Sequence, residues 1–361
     1  MRIMDEFKSR LEKIESILQF YLPKKADWKW SSLSFETLDP CINESHFANL
    51  IVPCENLISL GGKRWRPLLA VFCAELAASA KTPDGHIIAE RTEAAYKLAP
   101  LIEFAHTASL IHDDIEDSTD ERRGKPAAHI TYGMDVALNA ASWLYFQAAT
   151  CIKNLSVSDR EKSDLYELFL LEMRRLHLGQ AIDIKWHREP SFIPTADEYM
   201  AMVKNKTGTL ARLATKIGIL AGGGTHEEAE KCGAIAEEIG VGFQILDDVT
   251  NLTTGNPGKR RGDDIVEGKK SLPVITHIKN HPEDLDKLAS LFGQARREGI
   301  ESPAVEETIK LLEKSESIFE AKTRGDMIIL KNSNSLAEFY GATGSDGERM
   351  IKLLFKKMMR D

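Results

Sequence analysis

Ser109-Leu-Ile-His-Asp-Asp-Ile-Glu-Asp117 is the stretch on which the reading of this chain turns. It closes a nearly uncharged run from Leu101 to Ile111, and a second stretch, Gly242-Phe-Gln-Ile-Leu-Asp-Asp-Val-Thr-Asn251, closes a similar run from Ile239 to Leu246. On a helix, Asp113 and Asp117 stand one turn apart on a single face, where two like charges cost the bare helix about 0.2–0.5 kcal/mol. Asp247, Asp248 and Asn251 repeat the spacing with an uncharged third member. Something cationic should offset the repulsion. Mg²⁺ is suited to that role, because it takes one or two carboxylates together with waters and the oxygens of a substrate phosphate. One acidic cluster of this kind could equally be a solvated face. Two, each placed after an apolar run and not interleaved with it, read as carboxylates that face one cavity.

Outward from these stretches, apolar positions recur at helical spacing from Leu57 to Ala80, Ala94 to His112, Val136 to Ile152, Ser163 to Trp186, Thr209 to Ala221, Glu227 to Asp248 and Ser271 to Ile278. No segment alternates with period two for long enough to make a sheet. The expectation is an all-α protein of ten or more helices. The connectors Lys81-Thr-Pro-Asp-Gly85, Glu189-Pro-Ser-Phe-Ile-Pro194, Gly222-Gly-Gly224 and Thr254-Gly-Asn-Pro-Gly258 carry the usual breakers, and none is long enough to link independent domains. Residues 1–361 therefore read as a single domain: an N-terminal arm over 1–30, core motifs over 57–278 and C-terminal helices over 279–361. Within the arm, residues 1–22 are amphipathic, with Ile3, Phe7, Leu11, Ile14, Leu18 and Tyr21 near one face. That face suits packing on the body or across a dimer; Asp5, Glu6, Glu12 and Glu15 oppose an anchor on anionic lipid. The stretch Arg349 to Arg360 is basic and amphipathic, and reads as a terminal helix or as a cover over a diphosphate site or a membrane contact.

A length of 361 residues is ample for a buried core. A net charge of −8 and a pI near 5.8 argue against a general nucleic-acid binder and leave room for a local basic pocket. The five cysteines, Cys41, Cys54, Cys73, Cys151 and Cys232, are odd in number and show no C-x-x-C spacing, which points to a reducing, cytoplasmic setting and to no zinc. No apolar run approaches a membrane span.

Around the aspartates lie cations that a binder of metal alone would not need: Gly61-Gly-Lys-Arg-Trp-Arg-Pro67, Arg122-Arg123-Gly124, Lys204-Asn-Lys-Thr-Gly208, Lys259 and Lys269-Lys270. At junctions of loop and helix, arginine offers a bidentate fork to phosphate oxygens and lysine a point charge.

With these residues in view, the chain resembles the trans-isoprenyl diphosphate synthases, the polyprenyl synthetase family, from about Leu57 to Ile278. The likeness is carried by G-K-x-x-R-P at Gly62 to Pro67, His106 seven residues before D-D-I-E-D at 113–117, R-R-G at 122–124, G-Q-x-x-D at Gly179 to Asp183, K-T at 206–207, F-Q-x-x-D-D at 243–248 and E-G-K at 267–269. The resemblance implies an isoprenoid synthase-like helical bundle around a deep central cavity, usually as a homodimer. It implies that Asp113, Asp117 and Asp247 hold three Mg²⁺ ions on an allylic diphosphate, that Arg122, Lys206 and Lys269 contact the same diphosphate, and that Lys259 closes on it. Lys63, Arg66, His106 and Arg123 correspond to the site for isopentenyl diphosphate. Thr207 and Gln244 would lie beside the carbocation, with Gln180 and Asp183 in support. The implied reaction joins the two substrates into a longer all-trans prenyl diphosphate.

Asn251 departs from the commonest pattern, which has a third aspartate, and resembles the geranylgeranyl branch. Tyr132-Gly133, Asn139 to Phe146 and Asp183 to Trp186 do so too. The expected product is geranylgeranyl diphosphate. The alternatives are a farnesyl or longer-chain synthase, a non-catalytic partner subunit, and a class I terpene cyclase, which would lack the Lys63 and Arg66 box. Ala108 and Ser109 are small where shorter-chain members often carry an aromatic floor, so Trp143, Tyr145 or Phe146 should close the cavity deeper down.

Overall fold

The structure, a computed structural model, describes residues 2–255, 260–341 and 344–359, with side chains from Phe7 onward. Helices dominate it, and several begin where short polar side chains satisfy the backbone N–H groups that a helix start leaves open. Ser158 with Glu161 opens Asp159–His187, Thr195 with Glu198 opens Ala196–Val203, and Thr225 with Glu228 opens His226–Thr253, each as a reciprocal capping box.

Three of the expected helices are each divided, Val136 to Ile152 at Ala149 and two others earlier in the chain. The run from Leu57 to Ala80 breaks into Glu44–Ser59 and Trp65–Lys81, because Gly61, Gly62 and Arg64 take positive φ values of 81°, 155° and 47°. The run from Ala94 to His112 breaks at Leu98 into Gly85–Lys97 and Ala99–Glu116. Pro100 cannot donate to the preceding turn, and its ring clashes with a carbonyl there, so it sits at the start of a new helix. The sequence carries no period-two signal, yet a minimal antiparallel ladder forms, Glu121–Arg122 against Lys125–Pro126. Arg123 and Gly124 turn it with φ values of 54° and 72°, the left-handed pair that matches the twist of a two-residue hairpin.

Ala99–Glu116 lies against Met134–Ala148, and Thr209–Ala221 lies between Trp65–Lys81 and His226–Thr253. The approach to Trp65–Lys81 is close enough that a Cβ on Gly218 would stand 2.2 Å from the Ala70 carbonyl oxygen. Two apolar clusters form. One gathers Phe72, Phe104, Leu144 and the arm residues Phe7, Ile14 and Leu18; the other gathers Tyr199, Phe292 and Ile309. His226–Thr253 supplies Ile239 to the first and Ile245 to the second.

The arm, Arg2–Tyr21, packs on the body of its own chain. Phe7, Ile14, Leu18 and Tyr21 are buried and Leu11 partly so; the Ile3 side chain lies outside the described ones. The basic C-terminal helix, Asp346–Met358, buries Met350, Ile351, Leu354 and Phe355 and packs on Trp65–Lys81. Among the described residues no helix is long and apolar enough to cross a membrane. The five cysteines are unpaired, and all but Cys41 are buried.

Candidate active site

A cavity of about 1220 Å³ opens between the helices that end in the two aspartate clusters. The carboxyl end of a helix already carries partial negative charge, so the acidic group that ends Ala99–Glu116 needs cations nearby. The surroundings provide them. Asp113, partly exposed, has Lys206 Nζ at 3.3 Å and Arg122 Nη2 at 3.6 Å, and accepts a 3.1 Å hydrogen bond from Gln180. Asp114 turns inward and takes the Arg122 guanidinium at 2.7 Å. Asp117 is sealed behind them, its side chain 4 % exposed, with His187 at 3.7 Å and Lys269 at 3.4 Å.

Lys206 owes its place to backbone geometry. A single π-helical turn, Lys204–Gly208, interrupts the path from Ala196–Val203 to Thr209–Ala221 and brings Lys206 and Thr207 together onto the cavity wall. Gly179 makes room for this turn, since a Cβ there would stand 2.2 Å from the Lys206 amide nitrogen. Burial disfavours the Lys206 charge, but Asp113 and Asp183 outweigh it and hold the ammonium above the usual lysine range. Asp183, 2.5 Å from Lys206 Nζ and 2.8 Å from His187 Nε2, is likewise kept ionised against its burial, well below the usual carboxylate range. Lys269 meets Glu267, Asp264 and Asp117, which lift it far above the ordinary value despite burial.

On the second acidic helix the two neighbouring aspartates divide. Asp247 is exposed to the cavity. Asp248 is buried, where it accepts hydrogen bonds from Tyr199 Oη at 2.7 Å and Gln244 Nε2 at 2.9 Å, and burial together with Asp264 pushes its carboxyl up to about 7. Thr207 donates to Gln244 Oε1 at 2.7 Å, so this pair and Asp248 form one chain of hydrogen bonds.

A second part of the cavity lining is cationic. Lys63, Arg66, Arg123 and His106 form it, and also border an adjoining recess of about 180 Å³. The Arg66 guanidinium lies 4.5 Å from the centre of the Trp65 ring, and its Nε is buried without a hydrogen-bond partner. Burial and the Arg123 charge push Arg66 down to about 10, although Glu103 and Asp247 oppose them. The same burial, with Arg66 and Arg123 close by, holds His106 well below the ordinary histidine value. This is a pocket of crowded positive charge, suited to a multivalent anion. Leu110, Leu176, Leu210 and Phe243 add apolar wall to the same cavity.

The profile of the polyprenyl synthetase family matches residues 48–309. The chain belongs to that family. The matched region of a geranylgeranyl pyrophosphate synthase from Gibberella zeae is 39 % identical over 196 residues, 54 % of this chain and 50 % of the relative. A short chain isoprenyl diphosphate synthase from Methanocaldococcus jannaschii is 33 % identical over 264 residues, 72 % of this chain and 75 % of that one. The chain spans between 43 % and 66 % of the length of the fungal relatives it matches. In structure, the geranylgeranyl pyrophosphate synthetase from Pyrococcus horikoshii superposes with a TM-score of 0.76 at 26 % identity, covering 100 % of this chain and 98 % of that one.

In this chain Lys63, Arg66, His106, Asp113, Arg122, Arg123, Lys206, Thr207, Gln244, Asp247 and Lys269 all line one cavity, whereas Asp117, expected beside them, does not. Lys259 lies outside the described residues. Three further expectations are corrected. Asn251 does not join the second acidic cluster: it is fully buried, accepts from the Asp264 N–H at 3.2 Å and donates to the Arg260 carbonyl at 3.5 Å. Ala108 is fully buried and does not reach the cavity, whereas Ser109 does. Of the three candidates for a deep floor, Phe146 is 74 % exposed, Trp143 packs against Trp30 and Phe35, and Tyr145 lines the cavity beside His112 and His177.

Among the described residues no group of three or more His, Cys, Asp or Glu side chains is arranged to hold a metal ion. The donor chemistry nevertheless fits Mg²⁺. Asp113 and Asp247, from two helices, face a shared cavity, while Asp117 lies behind its wall with Lys269 Nζ 3.4 Å from its Oδ2. Sequence reading missed His187, Tyr199, Glu103 and Asp264. Of these, His187 was within reach, four residues after Asp183 on the same helical face, and Glu103 was the single charge in an apolar run.

Proposed function

We propose that this protein condenses isopentenyl diphosphate with an allylic diphosphate to give geranylgeranyl diphosphate. The observation that carries the reading is a single cavity with two unlike charged sides. One presents carboxylates, lysines and an arginine, as an anion held partly through metal requires; the other presents cations with few carboxylates, as an anion held directly requires. A cyclase with one substrate has no use for the second side.

In this reading Asp113, Asp117 and Asp247 hold three Mg²⁺ ions, which when bound supply Lewis-acid stabilisation of the leaving diphosphate. Arg122, Lys206 and Lys269 offer cations to the same diphosphate as its allylic C–O bond breaks and both electrons leave with oxygen. Thr207 and Gln244, already joined by a hydrogen bond, turn oxygen lone pairs toward the cation, and the apolar wall excludes water from it. Lys63, Arg66, Arg123 and neutral His106 orient isopentenyl diphosphate so that its C3–C4 π electrons form the new carbon–carbon bond. The departed diphosphate then takes a proton from C2, and an allylic diphosphate is restored. Lys259 is proposed to close on the diphosphate. We further propose a cytoplasmic homodimer, in keeping with the unpaired buried cysteines and with Leu138, Phe146, Leu170 and Leu178, large apolar side chains left exposed on Met134–Ala148 and Asp159–His187.

The test supplies labelled isopentenyl diphosphate with C5, C10 and C15 allylic starters, then sizes the dephosphorylated products. A C20 alcohol, lost when EDTA is added, is the expected result. A C15 or longer end product would reassign the chain length, a hydrocarbon formed without isopentenyl diphosphate would favour a cyclase, and no turnover at all would favour a partner subunit.

A further inference from the structure

Lys63, Trp65 and Arg66 line the large cavity, and Arg64 between them does not. Its backbone, at φ 47° and ψ 27°, is left-handed, a region that residues with a Cβ occupy at a cost and hold only when their surroundings fix them there. Glycine would take this conformation freely, so the arginine side chain must be what the position needs. That side chain is 1 % exposed and fully engaged. Nη1 meets Glu103 at 2.7 Å, Nη2 donates to the Ile58 carbonyl at 2.6 Å, and Nε donates to Glu15 Oε1 at 2.7 Å.

Glu15 comes from the N-terminal arm, which is anchored without it. Ile14 and Leu18 are buried, and Arg10 pairs with Glu75 at 3.0 Å and with Asp346 at 2.9 Å. The Glu15 side chain is 36 % exposed, so its link to Arg64 adds little to holding the arm in place. What it restrains is the loop. Gly62 is clasped between two guanidinium groups, a Cβ there standing 3.1 Å from Arg123 and 3.4 Å from Arg64, and Arg123 also binds the carbonyls of Leu57 and Gly61. The directions of Lys63 and Arg66 therefore follow from how Arg64 is held.

We propose that Glu15 is a positioning residue: through Arg64, the N-terminal arm braces the pocket for isopentenyl diphosphate without touching the substrate. This rests on the assignment of Lys63, Arg66 and Arg123 to that substrate. Bracing and simple charge make opposite forecasts. As a nearby negative charge, Glu15 would weaken the pull on a diphosphate, and its loss would tighten binding; as a brace, its loss loosens the cations and weakens binding.

The experiment measures kcat and both Michaelis constants for Glu15→Gln, Glu15→Asp and Lys63→Ala. Glu15→Gln should raise the isopentenyl diphosphate KM roughly fivefold, the equivalent of one partly exposed charge-assisted hydrogen bond, and leave the allylic KM within about twofold. Glu15→Asp, which keeps the carboxylate, should recover most of that rise, and the melting temperature of both should stay within about 2 °C of the parent. A lower or unchanged isopentenyl KM, an equal rise for both substrates, or a rise that tracks a lower melting temperature would overturn the brace. If Lys63→Ala raises the isopentenyl KM and Glu15→Gln does not, the brace alone fails. If Lys63→Ala leaves that KM unchanged, the pocket assignment fails and takes the brace with it.

Discussion

Asn251 shows how a spacing can mislead about a single residue. Four positions after Asp247, it shares a helical face with it, yet its amide is spent on Arg260 and Asp264, partners that lie nine and thirteen residues further on. Asn251→Asp should therefore not strengthen metal binding. It would set a carboxylate against the Arg260 carbonyl and near the buried Asp248, and should destabilise the fold by about 1–3 kcal/mol in urea melts. His106 gives a second expectation at this scale. Its folded pKa lies below the ordinary 6.5, so above that pH neither state binds the proton. As pH falls below 6.5 the unfolded chain takes up a proton that the folded one refuses, and stability drops by about 1.4 kcal/mol per pH unit until the folded pKa is reached. His106→Gln should flatten this slope between pH 6.5 and 5.

At the scale of elements, what could be read in the sequence followed from periodicity. The apolar runs that end at Asp113 and Asp247 announce two helices and their acidic ends, and Lys63, Arg66, Arg122, Arg123, Lys206 and Lys269, named from short motifs, line one cavity. The hairpin at Arg122 to Lys125 and the π turn at Lys204–Gly208 were hidden for a physical reason: two-residue strands are too short to alternate, and a turn with one extra residue has no compositional mark. Side-chain direction was hidden as well, as Ala108 and Ser109 illustrate. Neighbours on a helix differ by 100°, and only Ser109 looks into the cavity. Ser109→Phe should accordingly shorten the product from C20 toward C15, whereas Ala108→Phe should overfill the core and cost about 1–3 kcal/mol without a clean change in product. Product sizing beside thermal melts of both variants separates these outcomes; a C15 product from a stable Ala108→Phe protein would reverse the assignment.

For the whole molecule, the two apolar clusters share His226–Thr253, the helix that also carries Asp247. We propose that the chain folds as one unit, for which calorimetry should record a single transition with calorimetric and van't Hoff enthalpies in agreement. Two separable transitions would mean that the C-terminal cluster stands alone. Destabilising either cluster, for instance with Leu144→Ala or Phe292→Ala, should lower the same transition, each by roughly 2–5 kcal/mol.

Ser109 and Asp113 sit one turn apart on Ala99–Glu116 and both line the cavity, the first small and the second charged. On the proposed function, a single codon at position 109 would retune how long a lipid precursor is made while the neighbouring turn keeps the chemistry intact. Descent with modified product then needs no intermediate that has lost its activity.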